Sequence, residues 1–234
     1  MKENTFKTIK HWDEDLMYQH VHRELSSLYN VLDEFKVKEL SFIDVGGNVG
    51  KFYEEISKRY VVNKCVIVEA SKILSEYMVE KFKNDPRVVV HNFGLSDEDG
   101  DFYFDDAGVR CIEDNNIDAS KSDVNLGLAG KTNSPGSTKF FNASYFLREI
   151  NEIPANDISL IKIDTENADY QIISAMKEFL IEKKISPIIL FENNFHNAGK
   201  TIEWAYEVIN DVCDKCGYTK PSLNSENIFL IPTK

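Results

Sequence analysis

Short apolar, β-branched runs alternate along the chain with stretches that place an apolar residue every three or four positions. The runs are SFIDV (41–45), CVIVEA (65–70), RVVVHN (87–92), ISLIKID (158–164), PIILFEN (187–193) and NIFLIP (227–232). Helical stretches fall near 50–60 and 72–83, from 164 to about 181, and from about 200 to 215. Continuous apolar strands separated by helices predict a parallel sheet inside an α/β sandwich. Upstream, residues 11–36 read as helix, with Leu16, His20, Leu25, Leu28, Leu32 and Phe35 along one face. The expected division is a helical cover over the mouth of the sheet (1–40) and the sheet-bearing domain (41–234), one domain overall. One segment breaks the rhythm. Asp99-Gly100 signals a hairpin turn into DFYFDD, and from 105 to about 139 the chain is polar and without period. A stretch that long inside a compact domain is a functional loop or plain disorder.

Charge narrows the partners. With 27 basic against 39 acidic residues the net charge is −12, and so acidic a surface repels phosphate backbones and anionic lipid. Neither a nucleic acid nor a membrane is the expected partner; a small-molecule or glycan acceptor is. The opening MKENTFKTIKHWDEDL has no apolar core of a signal peptide, and the expected location is the cytoplasm. Cys213 and Cys216 form CDKC, but no second pair completes a zinc site, and their i, i+3 spacing lets both thiols pack on a helix.

The chemistry begins at FIDVGGNVG (42–50). A P-loop requires Gly-Lys followed by Ser or Thr, and Gly50-Lys51 is followed by Phe52; GKT at 130–132 has Asn125 where the earlier glycine belongs. A dinucleotide fingerprint requires G-x-G-x-x-G, which Gly46, Gly47 and Gly50 do not supply. What remains is Asp44-x-Gly46-x-Asn48-x-Gly50 after the first strand, with Glu69 ending the second. That pattern suits S-adenosylmethionine. The cofactor has no phosphate to cradle, Asp44 is placed for its ammonium, directly or through water, and Glu69 for the two ribose hydroxyls. A glycine turn that merely packs helix on strand is the alternative.

Five pieces in order resemble the FkbM-type S-adenosylmethionine-dependent methyltransferases: FIDVGGNVG, VIVEAS (66–71), HNFGLSDEDGDFYF (91–104), LIKIDTENADYQIISAM (160–176) and PIILFENN (187–194). Gly47 replaces the family's alanine, Asn167 stands where glycine is usual, and Ala70 follows Glu69 where proline is common. The resemblance implies a seven-stranded Rossmann-like class I methyltransferase sheet with helices on both faces, and O-methylation of a hydroxyl on a sugar, glycan or polyketide. Non-sugar small-molecule O-methylation and a non-catalytic cofactor-binding scaffold are the other readings. The cofactor residues it implies are Asp44, Gly46, Gly47, Asn48, Gly50, Glu69, Ala70, Ser71 and Asp164. Asn92 and Phe93 would flank the adenine, although Phe93 serves equally as core.

In such a sheet the strands ending at Asp164 and at Glu192-Asn193 are neighbours. Their oxygens would share one volume at the edge where ligands of open α/β sheets bind. Two carboxylates so close repel unless a positive charge lies between them, which suggests Asp164, Glu192 and Asn193 around Mg²⁺ or Mn²⁺. In the metal-free version Asp164 meets the cofactor's ammonium and Glu192 the acceptor. His196 is the expected general base, with Glu166 and Asp169 as competitors; Glu166 also suits an acceptor hydroxyl.

Overall fold

A computed structural model of the chain describes residues 17–104, 128–131, 138–165, 168–196 and 199–233. Helix α1 (Met17–Glu34) leads into β1 (Glu39–Val45), α2 (Lys51–Arg59), β2 (Val61–Val68), α3 (Lys72–Lys81) and β3 (Val88–His91). Three short strands follow, β4 (Gly94–Ser96), β5 (Gly100–Phe104) and β6 (Leu128–Lys131), then β7 (Thr138–Asn142) and a helical turn through Ile150. The chain ends with β8 (Leu160–Ile163), α4 (Asp169–Lys183), β9 (Ile188–Glu192), α5 (Ile202–Cys216), β10 (Tyr218–Thr219) and β11 (Asn227–Pro232).

The main sheet has seven strands in the order β10-β11-β9-β8-β1-β2-β3. The pairs β3–β2, β2–β1, β1–β8 and β8–β9 are parallel, and β11 runs antiparallel to both β9 and β10. Side-chain alternation builds a core on each face. From β1, Leu40 and Phe42 point into a layer with Val49, Phe52 and Ile56 of the α2 region, Met78 of α3 and Leu25, Leu28 and Leu32 of α1. Ile43 and Val45 point the other way, toward Ile173 and Phe179 of α4 and Ile209 and Val212 of α5. The doubly wound sheet is the expected architecture. Both runs of apolar side chains are wholly covered, which is why its central strands read as continuous hydrophobic stretches.

Described side chains of α1 begin at Leu25, and those that are buried belong to the face of the sheet beside α2. A cover over the strand ends would rest on earlier side chains, Leu16 and His20 among them, which lie outside the described residues.

The segment after β3 differs from expectation. A second sheet, β4-β7-β5-β6, forms there, with β7 parallel to β4 and antiparallel to β5. β7 lies between β4 and β5, so the Asp99-Gly100 turn does not close a hairpin. The turn is instead tied to β7: Asn142 donates its backbone N–H to Asp99 Oδ1 (2.7 Å) and its side-chain amide to the Asp97 carbonyl (2.6 Å). Residues 128–131, expected within an irregular loop, pair with β5; the remainder of 105–137 lies outside the described residues. Cys213 and Cys216 are buried on α5, where burial pushes both thiols up, Cys213 to about 11; they pack as apolar residues. Among the described residues no helix is long and apolar enough to cross a membrane.

Candidate functional site

The glycine turn sits where β1 gives way to α2. Gly46 N–H donates to the Val68 carbonyl at 2.8 Å, drawing the turn against the end of β2. Gly46 holds φ +78°, and a Cβ there would stand 1.9 Å from the backbone oxygen of Asp164. Only glycine lets the turn lie this close to the end of β8. Asn48 is left-handed at φ +52°, and Gly50 opens α2 at φ +75°.

This geometry aims one backbone donor at Glu69. Asn48 N–H donates to Glu69 Oε2 and Ser71 N–H to Oε1, both at 2.8 Å. The Ser71 hydroxyl in turn caps α3 by accepting from Leu74 N–H. Glu69 is 7% exposed, so two turns from different strands hold one carboxylate in a fixed orientation. A carboxylate oriented in this way has the chemistry to accept from a vicinal diol. Asn48 Oδ1 is buried with no hydrogen-bond partner, an acceptor left over inside the same cradle. These features fit a nucleoside with an amino-acid arm.

Asn92 braces the cradle from β3: its amide nitrogen donates to the carbonyls of Glu69 (3.0 Å) and Ala70 (3.3 Å). The Thr138 hydroxyl, at the start of β7, also donates to the Ala70 carbonyl. The sequence gives no sign of Thr138, because it reaches the cradle through a strand that carries no apolar pattern of its own. Phe93 is 8% exposed, and its ring meets Phe141 and Phe146 edge-on, with centroids 4.9 and 5.8 Å apart; core packing accounts for it.

Behind the turn lies a buried charge triad. Asp44 and Lys162 are register partners across β1 and β8, and both side chains project to the α2 face. Asp44 is fully buried, and neither of its oxygens accepts a hydrogen bond; Lys162 Nζ stands 3.5 Å from Oδ1. The same ammonium reaches Asp164 Oδ2 at 3.1 Å, with the Phe52 ring 5.6 Å away on its flank. Burial raises the Asp44 carboxyl above its ordinary range, and the Lys162 charge opposes that rise. Asp164, 37% exposed at the side chain, is the member of the triad open to a ligand. A lysine inside LIKI, a strand buried at every position, is a legible signal that the motif alone did not assign.

Beyond Asp164 the loop is folded back on itself. Thr165 donates its N–H and hydroxyl to Asp169 Oδ2 (3.3 and 2.7 Å), and Asn194 Nδ2 joins them at 3.0 Å. Asp169 is fully buried at the start of α4; burial first, and the charge of Asp164 second, push its carboxyl up to about 6. Asn194 Nδ2 also approaches Glu192 Oε2 at 3.3 Å.

Of the expected metal trio, Asn193 is engaged elsewhere. Asn193 Oδ1 accepts from the Tyr170 hydroxyl, while its amide nitrogen donates to the carbonyls of Leu223 and Ser225 at 3.0 Å each. Alternation at the end of β9 turns Asn193 toward that segment, and it serves as a staple rather than a ligand. Among the described residues no cluster of three or more His, Cys, Asp and Glu side chains is placed to hold a metal ion. The cation that stands beside Asp164 is Lys162, shared with Asp44. His196 is exposed in the turn after β9, its ring against Phe195 with centroids 3.8 Å apart. Glu166 lies outside the described residues.

A model of the methyltransferase FkbM domain matches residues 44–219. Among solved structures, a methyltransferase FkbM from Methylobacillus flagellatus superposes with a TM-score of 0.50 at 10% identity, over 82% of this chain and 44% of that one. The present chain thus spans less than half of that protein. A putative S-adenosyl-L-methionine-dependent methyltransferase from Methanococcus maripaludis aligns over 98% of this chain and 94% of its own, at 13% identity and a TM-score of 0.46. No curated protein matches the sequence. At these identities the structural likeness is one of fold.

Proposed function

The chain belongs to the methyltransferase FkbM family, an S-adenosylmethionine-dependent family, and we propose that it methylates a hydroxyl of a sugar or glycan. The observation that carries this reading is the position of Asp164. Its half-open carboxylate is held by Lys162, its backbone oxygen lies against the glycine turn at Gly46, and Asn194 and Glu192 meet at the end of the neighbouring strand. Acids and amides at adjacent strand ends suit an acceptor that presents several hydroxyl donors.

When bound, S-adenosylmethionine supplies a methyl group on a positively charged sulfur. The protein's share is position and proton transfer. Glu69 would take the ribose hydroxyls and the Gly46–Gly50 turn would fix the depth of the nucleoside. Attack then requires an acceptor oxygen in line behind the methyl at close approach. An alcohol attacks well only as its proton departs, and the base must touch it. Asp169 is enclosed by three donors and reaches no solvent, which excludes direct contact in this conformation. His196 is exposed after β9 and is the residue we assign as base.

The test is transfer of labelled methyl from S-adenosylmethionine to a panel of mono- and oligosaccharides, with amines and non-sugar alcohols alongside. Label in an alkali-stable sugar ether is expected, and His196→Ala should lower kcat about 10²–10⁴-fold, the usual worth of a general base. Label in amines or non-sugar alcohols with sugars untouched would replace the acceptor assignment. Full activity of His196→Ala would remove the base.

A further inference from the structure

Lys162 has a role that family membership does not specify. A buried ammonium is costly unless paired, and this one is 4% exposed in the middle of the sheet. Its pairing is two-sided, with Asp44 behind it at 3.5 Å and Asp164 in front at 3.1 Å. Asp44 cannot serve a ligand directly, since both of its oxygens are sealed from solvent. Asp164 can, because it is partly open and its backbone lies against Gly46. The three groups are a sealed anion, a sealed cation and a partly open anion.

We propose that Lys162 is a positioning residue, anchored by Asp44, that fixes the Asp164 carboxylate at the rim of the glycine turn to receive the ammonium of the cofactor's amino-acid arm. The inference rests on the cofactor reading above and goes further in two respects. Of the two acids the sequence offers for the ammonium, it selects Asp164 over Asp44, and it makes the remote pair responsible for one part of the ligand. The nucleoside half is held separately, by Glu69 and its two backbone donors. Loss of Lys162 should therefore weaken recognition of the arm and spare recognition of the nucleoside.

Two probes separate these halves. S-Adenosylhomocysteine carries the arm, and 5′-methylthioadenosine is the same thioether nucleoside without it. Calorimetric titration of the wild-type protein with both comes first; binding of neither would fail the cofactor reading itself, apart from any role of Lys162. Given wild-type binding, Lys162→Met is expected to lose at least about tenfold in S-adenosylhomocysteine affinity, as when a charge-assisted contact is lost. Its affinity for 5′-methylthioadenosine should stay within about twofold, whereas a merely structural defect weakens both together. Because the single change strands Asp44 without a counter-charge, the Asp44→Asn/Lys162→Met double variant is measured beside it. It removes the buried charges as a pair and is expected to show the same selective loss. Equal loss for both ligands, or unchanged S-adenosylhomocysteine affinity in a folded variant, overturns the proposal.

Discussion

At the level of single residues, the cofactor cradle depends on two positions that do different work. Glu69 is the acid and Gly46 is the space. Glu69 is oriented by the N–H groups of Asn48 and Ser71, so removal of its side chain leaves two backbone donors and the ribose without their acceptor. Glu69→Ala is expected to weaken S-adenosylhomocysteine binding by about 1.5–3 kcal/mol, measured by calorimetry on protein whose melting is checked in parallel. Gly46→Ala should be more damaging to the fold itself. The new methyl would collide with a backbone carbonyl that cannot swing aside, at a φ that alanine rarely adopts. A loss of at least about 1–3 kcal/mol in urea unfolding is expected, together with lost binding. Both positions were legible in the sequence because their chemistry is local: glycines in a tight turn and an acid after an apolar strand. Lys162 was not assigned a role, since its significance depends on a register partner more than a hundred residues earlier in the chain.

The secondary elements divide along similar lines. Strands with long apolar runs announce themselves, and β1, β8, β9 and β11 appear within two residues of the expected runs. β2 begins at Val61, before its apolar run, because its first positions alternate between exposed and buried. The second sheet was hidden for the same physical reason in stronger form: three-residue and four-residue strands give too few positions for a period to show. The pairing of β4 with β7 turns on Gly94, whose absent side chain admits the Phe140 ring. A Cβ at Gly94 would come within 2.1 Å of that ring, which is itself 4% exposed. Gly94→Ala must displace a buried aromatic, and an overpacking loss of about 1–3 kcal/mol is expected in urea unfolding. Phe140→Leu in the same background, by opening room, should recover part of it. Failure of the first substitution to destabilise would show that β4 and β7 can separate freely.

For the whole molecule, the acids set a balance between solubility, site and stability. The net charge of −12 was plain from composition, but which carboxylates lie buried was not, since an aspartate reads alike on the page whether it caps a helix or sits in the core. Asp169 shows the difference. It was expected as a competing general base, and it is instead fully enclosed at the junction of β8, α4 and the turn after β9. Its carboxyl titrates near 6 in the folded state against an ordinary 3.8, so protons favour the native form. The resulting stabilisation is complete below about pH 4 and is lost as pH rises through 6. Asp169→Asn keeps an acceptor for Thr165 and removes the titration. Subtracting the variant's unfolding free energy from that of the wild type cancels every other ionisation. That difference should fall by on the order of 1 kcal/mol between pH 5 and 7.5, the part of the full linkage contained in that window. A difference that rises with pH would mean that the native state prefers the charged carboxylate, with the hydrogen bonds from Thr165 and Asn194 outweighing burial.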